Sequence, residues 1–181
     1  SRDITHLKRT EEALRGSEQQ YRNLIESIDE YIAETDASGR CTYASPKVFD
    51  FIGYGPHEVI GKRPFDFMAP AEAERVERIF RERASRCESF DYLEHTLIHK
   101  NGAAVIVETS GTPFFGEGGG LRGYRTISRN ITKRKQAMDA LALAESKYRD
   151  IFENAVEGIY RSVPEGRYVD VNPAFARIFG Y

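Results

Sequence analysis

The sequence predicts an α+β fold: one antiparallel five-stranded sheet with helices on one face, preceded and followed by linker helices. Three observations carry that expectation. The hydrophobic pattern runs in the order helix, two strands, three helices, three strands. Asn101-Gly102 lies between two long strand-like segments as a hairpin turn. Shifting the sequence by 127 positions lays residues 1–54 on residues 128–181 without a gap, and 18 of the 54 pairs are identical.

The opening segment, Thr5 to Ile28, is patterned as a helix. Leu7, Leu14, Tyr21 and Ile28 fall seven apart, with Leu24 three residues after Tyr21. Charged residues flank this a/d-like seam, which suits either packing on its own domain or a parallel contact between two protomers. The second copy repeats the seam with Leu141 and Tyr148, and with Ala137, Ala144 and Ile151. Tyr31–Thr35 and Arg40–Ala44 read as strands around Asp36-Ala37-Ser38-Gly39, where the glycine supplies a positive φ. Ser45-Pro46 reads as a helix opening, with Ser45 as cap and Pro46 at the first helical position. That helix stops near Gly53, and another runs from Pro56 to Ile60. From Pro70 to Arg86, apolar residues Val76, Ile79, Phe80 and Cys87 recur at helical spacing, so Cys87 is expected to face the core. Phe90–His99 and Ala103–Phe115 form the long hairpin, and Leu121–Ile131 is the last strand, after a loop at Gly116–Gly120. Such an arrangement leaves a small cavity between helices and sheet.

Composition narrows the function. Lys plus Arg number 26 against 28 Asp plus Glu, a net charge of −2, so no basic excess exists to meet a phosphate backbone or an anionic membrane. Apolar runs such as Ala103–Val107 reach only five residues, far too short to span a bilayer. Cys41 and Cys87 stand in no disulfide or zinc pattern. His95 and His99 lie four residues apart on a strand, a span of about 13 Å, too wide to clamp one metal. His6 and His57 sit among charged residues and read as surface positions. Gly118-Gly119-Gly120-Leu121-Arg122-Gly123 satisfies GxGxxG but opens no helix, so it offers no N-terminus to a pyrophosphate. Among catalytic signatures there is no P-loop, nucleophile elbow or HExxH. No catalytic residue and no metal site are therefore assigned, and the segment is expected not to be an enzyme.

Tyr43, Ser45-Pro46, Gly53-Tyr54, Glu58 and Gly61 resemble the S-box of the PAS sensory-domain family. Lys100-Asn101-Gly102, Glu108, Gly120, Gly123 and Arg129 to Lys135 resemble its trailing PAC segment. The family's terminal Asp-Ile-Thr stands intact at Asp3-Ile4-Thr5 and becomes Asn130-Ile131-Thr132 in the second copy. The resemblance implies the PAS fold and divides the chain into four parts. Residues 1–17 would end a preceding PAS/PAC unit and its linker helix, and 18–132 would form a complete unit. Residues 133–147 would be a linker helix, and 148–181 the truncated opening of a second unit.

The resemblance also implies a cytoplasmic signal-sensing and dimerisation module of a multi-PAS protein, with a sensor histidine kinase as the expected parent. Alternatives are the sensory arm of a diguanylate cyclase or phosphodiesterase, and a ligand-free interaction and spacer domain. Residues expected to line or border the cavity are Ile32, Tyr43, Phe67, Val76, Phe80, Leu97 and Ile106, with polar contacts from Ser45, Arg83 and His95. The family's light-sensing subclass places a reactive cysteine where this chain has Pro64, so a covalent flavin is not expected. Its haem-binding versions use a histidine on the long helix, and residues 71–89 contain none. The cofactor is left open, with a small metabolite or no ligand as the expectation. Expected partners are a second protomer through the linker seam (Leu7, Leu14, Tyr21, Leu24, Leu141, Tyr148), neighbouring PAS units and a C-terminal output domain. Neither nucleic acid nor membrane contact is expected of this segment.

Overall fold

A computed structural model describes residues 28–180, so the helix expected over 5–28, with Leu7, Leu14, Tyr21 and Leu24, lies outside the described residues. The chain divides into two compact units, Ser1–Thr132 and Lys133–Tyr181.

The first unit is the predicted α+β sheet. Its strands are β1 (Tyr31–Asp36), β2 (Cys41–Ala44), β3 (Phe90–Ile98), β4 (Ala104–Phe115) and β5 (Leu121–Asn130). They pair antiparallel in the order β2-β1-β5-β4-β3, which sets the first strand beside the last. Between β2 and β3 the chain forms α1 (Val48–Ile52), α2 (Pro56–Val59), a 3-10 turn (Pro64–Phe67) and the long α3 (Pro70–Ser85). The sequence pattern had pointed to the helices but not to the 3-10 turn. In that turn the Asp66 carboxylate accepts the Arg63 N–H at 2.9 Å and Pro64 pre-sets the first turn's φ.

Local chemistry explains the hairpins. Asp36 Oδ1 accepts the N–H groups of Ser38 and Arg40, both at 2.9 Å, while Gly39 adopts φ +83° to close the β1–β2 turn. Gly102, at φ +87°, does the same for β3–β4. At Gly123 the constraint is different: a Cβ there would lie 1.7 Å from the Thr35 carbonyl oxygen, so β5 approaches β1 only because this residue has no side chain. The core joins both layers, with Val48, Phe51, Ile52 and Val59 from the helices against Leu97, Val105 and Val107 from the sheet.

Two expectations are corrected here. Ser45 is not a helix cap: α1 begins at Val48 after Lys47, and no side chain caps it. Ser45 is instead 1% exposed, its Oγ accepting the Ile32 N–H at 3.1 Å and its own N–H bonding the Ile32 carbonyl at 2.8 Å. A hydroxyl one carbon from the backbone serves β1 and has no reach left for the helix. Cys87 does not face the core. It is exposed, at φ +51°, because the chain leaves α3 one residue earlier and turns toward β3.

The second unit holds most of α4 (Thr132–Asn154), the β6–β7 hairpin (Tyr160–Ser162 and Tyr168–Val171) and α5 (Pro173–Phe179). The 127-residue period reappears in its hydrogen bonds. Asn172, the counterpart of Ser45, accepts the Ile159 N–H through Oδ1 at 2.9 Å and bonds the Ile159 carbonyl at 2.9 Å, and Ile159 is the counterpart of Ile32. The longer amide also accepts the Phe175 N–H at 2.9 Å and donates to the Glu157 carbonyl at 2.9 Å. The capping expected at Ser45-Pro46 is thus found at Asn172-Pro173, where the helix runs seven residues rather than five.

The close approach at Gly123 yields the first prediction. Gly123→Ala should lower unfolding free energy by about 3 kcal/mol or more, because backbone atoms must separate to admit the methyl group. Gly116→Ala, with nothing within 4 Å of the added carbon, should stay within about 0.5 kcal/mol. Urea denaturation of both variants checks the pair, and equal midpoints would refute the steric account.

Candidate functional site: the cavity under the long helix

Strand parity decides what faces the cavity. On β1, Tyr31, Ala33 and Thr35 point toward the helices, and on β3 so do Leu93, His95 and Leu97. Thr109 of β4, with Thr126 and Ser128 of β5, completes the floor. Val76 and Phe80 of α3, Phe65 and Phe67 of the 3-10 turn, Met68, Ile52 and Val59 form the roof and sides. The space between them is about 80 Å³. That is about half the cavity volume that admits benzene in an engineered core. As it stands, the space has no room for a flavin or haem ring system.

Aromatic rings close one end. Phe80 lies edge-on to Phe65 at 5.9 Å and to Tyr124 at 5.3 Å, and Tyr124 meets Phe90 at 6.0 Å. Tyr124 is fully buried and its hydroxyl donates to the Glu88 carbonyl at 2.9 Å, tying the α3–β3 loop to the central strand. Phe90 can lie flat there because it crosses Gly111, where any Cβ would fall 2.3 Å from the ring.

The polar groups of the cavity are mostly satisfied, by one another or by backbone carbonyls. Thr109 Oγ1 and Ser128 Oγ are 2.8 Å apart, and Thr126 Oγ1 reaches toward the Ala33 carbonyl at 3.4 Å. Cys41 Sγ donates to the Tyr43 carbonyl at 3.2 Å, with Tyr31 beside it in the cavity lining. Burial pushes both the phenol and the thiol above their ordinary ranges, so both stay protonated at neutral pH. His95, 8% exposed, places Nδ1 3.1 Å from the Leu93 carbonyl, which can only accept, so Nδ1 carries the proton. Burial holds the imidazole below its ordinary value, hence neutral. Thr35 is the exception. It is 3% exposed, and its Oγ1 has no hydrogen-bond partner among the described residues.

The roof is fastened to the sheet beside His95. Arg75 grips Glu72 through two 2.8 Å bonds and donates to the Glu94 carbonyl at 2.8 Å, while Glu72 Oε1 accepts the Thr96 N–H at 3.0 Å. Two α3 side chains thereby satisfy backbone groups of β3, an edge strand of the sheet. The Arg75 bond, with the Thr96 N–H, holds the Glu72 carboxyl below its ordinary range against the effect of burial.

Of the ten residues expected at the cavity, Phe67, Val76, Phe80, His95 and Leu97 line it. The other five do not. Ile32 and Ile106 have the wrong parity and face outward; inward-facing neighbours on β1 and β4 are Tyr31, Ala33 and Thr109. Tyr43 faces outward because a register shift between β1 and β2 sets it opposite Glu34, whereas Cys41 pairs with Thr35. Ser45 is committed to Ile32, and Arg83 pairs with Glu88 at 2.8 Å on the surface. The sequence reading missed Thr35 and Tyr31, which strict alternation along β1 could have supplied once its inward face was known. Among the described residues no cluster of three His, Cys, Asp or Glu side chains could hold a metal ion. None of the described helices is long and apolar enough to cross a membrane.

Comparisons with known proteins agree with this geometry. A family model described as PAS fold matches residues 25–136, and one described as PAS domain matches residues 146–181. The protein y4lL of Sinorhizobium fredii is 26% identical over 150 residues, which are 80% of this chain and 17% of that protein. Among solved structures, a PAS domain from Colwellia psychrerythraea aligns with TM-score 0.57 and 22% identity, over 64% of this chain and 97% of that one. The PAS domain of an HTR-like protein from Haloarcula marismortui aligns with TM-score 0.58 and 24% identity, over 68% of this chain and 99% of that one.

Neutral, buried His95 gives a signed pH dependence. Its folded-state value lies below the unfolded one, so the unfolded chain binds the extra proton and stability falls as pH drops below about 6.5. Thermal unfolding between pH 7.5 and 5.5 should show that fall, and His95→Gln should flatten it. A slope unchanged in the variant would assign the effect elsewhere.

Proposed function

The chain belongs to the PAS family, and from that premise we propose that residues 18–132 are a cytoplasmic ligand-sensing module in a multi-PAS signalling protein. PAS domains are sensory modules that commonly bind small ligands and dimerise. The cavity between α3 and the sheet is the single observation that carries the reading. The expected parent is a sensor histidine kinase, and the sensory arm of a cyclic-dinucleotide enzyme is the alternative. We also propose the tandem arrangement: 1–17 ends a preceding unit, 133–147 is a linker, and 148–181 opens the next. Recurrence of the Ser45 bonds at Asn172 supports it. Determining the coding sequence on both sides of these residues tests array and output domain together; a phosphoacceptor-histidine helix with an ATP-binding domain would support the kinase.

A hydrogen-bonded route leads from the cavity roof to α4. Glu72 of α3 holds Thr96, and Thr96 pairs with Ile106 across the β3–β4 ladder. The Thr132 hydroxyl accepts the Ile106 N–H at 2.9 Å, and the Asn130 carboxamide oxygen accepts the Thr132 N–H at 3.0 Å. A ligand that shifts α3 against β3 would therefore pull on the residue that starts α4. Leu141, Tyr148 and Ile151 are exposed along that helix, as a protomer-pairing seam requires.

The spacer reading is favoured by one observation, the aromatic chain of Phe65, Phe80, Tyr124 and Phe90 that fills part of the interior. Mass spectrometry of the native purified chain, with thermal scans against a metabolite library, separates the two. A bound molecule or a raised Tm that Val76→Phe abolishes supports sensing; an empty protein that nothing stabilises supports the spacer. Thr132→Val should speed amide exchange in the first turn of α4 and destabilise the fold by about 1–3 kcal/mol, since the Ile106 N–H loses its acceptor. Leu141→Glu with Tyr148→Glu should convert dimers to monomers in sedimentation, and an unchanged coefficient would remove the seam.

A further inference from the structure

We infer that the cavity takes an uncharged molecule of about three to five heavy atoms, mainly apolar, anchored by one hydrogen bond to the Thr35 hydroxyl. This inference rests on the sensing reading above and specifies its ligand class.

Thr35 supplies the anchor. A buried hydroxyl without a partner is costly, and such groups are rare because folding satisfies nearly all of them. Here the neighbouring polar groups already have partners: Thr109 with Ser128, Cys41 with the Tyr43 carbonyl, Thr126 with the Ala33 carbonyl, and His95 Nδ1 with the Leu93 carbonyl. Thr35 Oγ1 is the one fully buried side-chain polar atom without a partner among the described residues, on a residue of the inward face of β1 in the cavity wall.

Charge is excluded by what surrounds it. No carboxylate lines the cavity, so a cationic ligand would be buried uncompensated. Lys62 is the one cationic side chain along the lining, and it is an exposed residue whose ammonium lies 5.9 Å from the Tyr54 ring centre and 5.6 Å from that of Phe67. An anion drawn to it would sit at the surface, away from the buried hydroxyl. The other walls are Ala33, Ile52, Val76, Phe80, Leu97 and their apolar neighbours, which favour hydrocarbon. Size follows from about 80 Å³, too little for a six-membered ring without displacing the roof.

The test uses the whole chain and three probes of four heavy atoms each: 2-propanol, acetate and isopropylammonium, with xenon as an apolar probe. Methyl NMR shifts of Ala33, Val76 and Leu97 report entry. 2-Propanol should shift them saturably, with both ions bound at least about tenfold more weakly. Thr35→Val keeps the side-chain shape, so it should weaken 2-propanol about fivefold and leave the xenon shifts in place. Without any probe the variant should melt at a higher temperature than the parent, because the orphaned hydroxyl is gone. Equal affinity for the three probes, 2-propanol binding unaffected by Thr35→Val, or a lower melting temperature would overturn the ligand class while the cavity reading stands. If neither xenon nor any probe moves those methyl groups, both readings fall together.

Discussion

The pairing of β1 with β5 is the constraint on which the rest of the first unit depends. Six residue pairs join strands about ninety positions apart, from Tyr31 with Ser128 to Asp36 with Gly123. Closing so long a loop costs entropy before any contact rewards it, and the intervening helices must then return to one face. Once β1 lies beside β5, strand parity fixes which side chains turn inward. The cavity floor is set by that register: Tyr31, Ala33 and Thr35 against Thr126 and Ser128.

The roof is held by different means. Val76 is the only buried residue of α3, so a narrow apolar contact is supplemented by ionic and polar ties at both ends. Glu72 and Arg75 clamp β3 near the start, and Tyr124 holds the loop beyond the helix through Glu88. A cover fastened at its ends over an incompletely filled space can shift without unfolding. The first clamp also meets the ladder that leads to Thr132, so the support of the cavity and the anchoring of Thr132 share one strand pair.

Much of this was legible in the sequence, because it rests on local chemistry. Asp36 to Gly39 and Asn101-Gly102 specify their turns within a few residues, and the order of elements follows from periodicity. Parity was not legible. Whether Ile32 or Tyr31 faces the helices depends on pairing with β5, which the sequence of β1 does not encode alone. Tyr43 was misplaced by a register shift that leaves no mark in composition, and Ser45 by competition between two backbone groups for one hydroxyl. Cys87 followed the helical pattern to a position where the helix had already ended. The cavity residues found in advance, such as Val76, Phe80 and Leu97, are those whose place follows from a helix face or a strongly apolar strand.

The two cysteines sit in opposite settings, and this has a kinetic meaning. Cys87 is exposed and open to any thiol reagent, whereas Cys41 forms part of the cavity wall and is 6% exposed. Its protonated thiol reacts only after the wall has parted and solvent has entered. The rate of alkylation at Cys41 is therefore a clock for the breathing of the domain, with Cys87 keeping the reference time on the same chain.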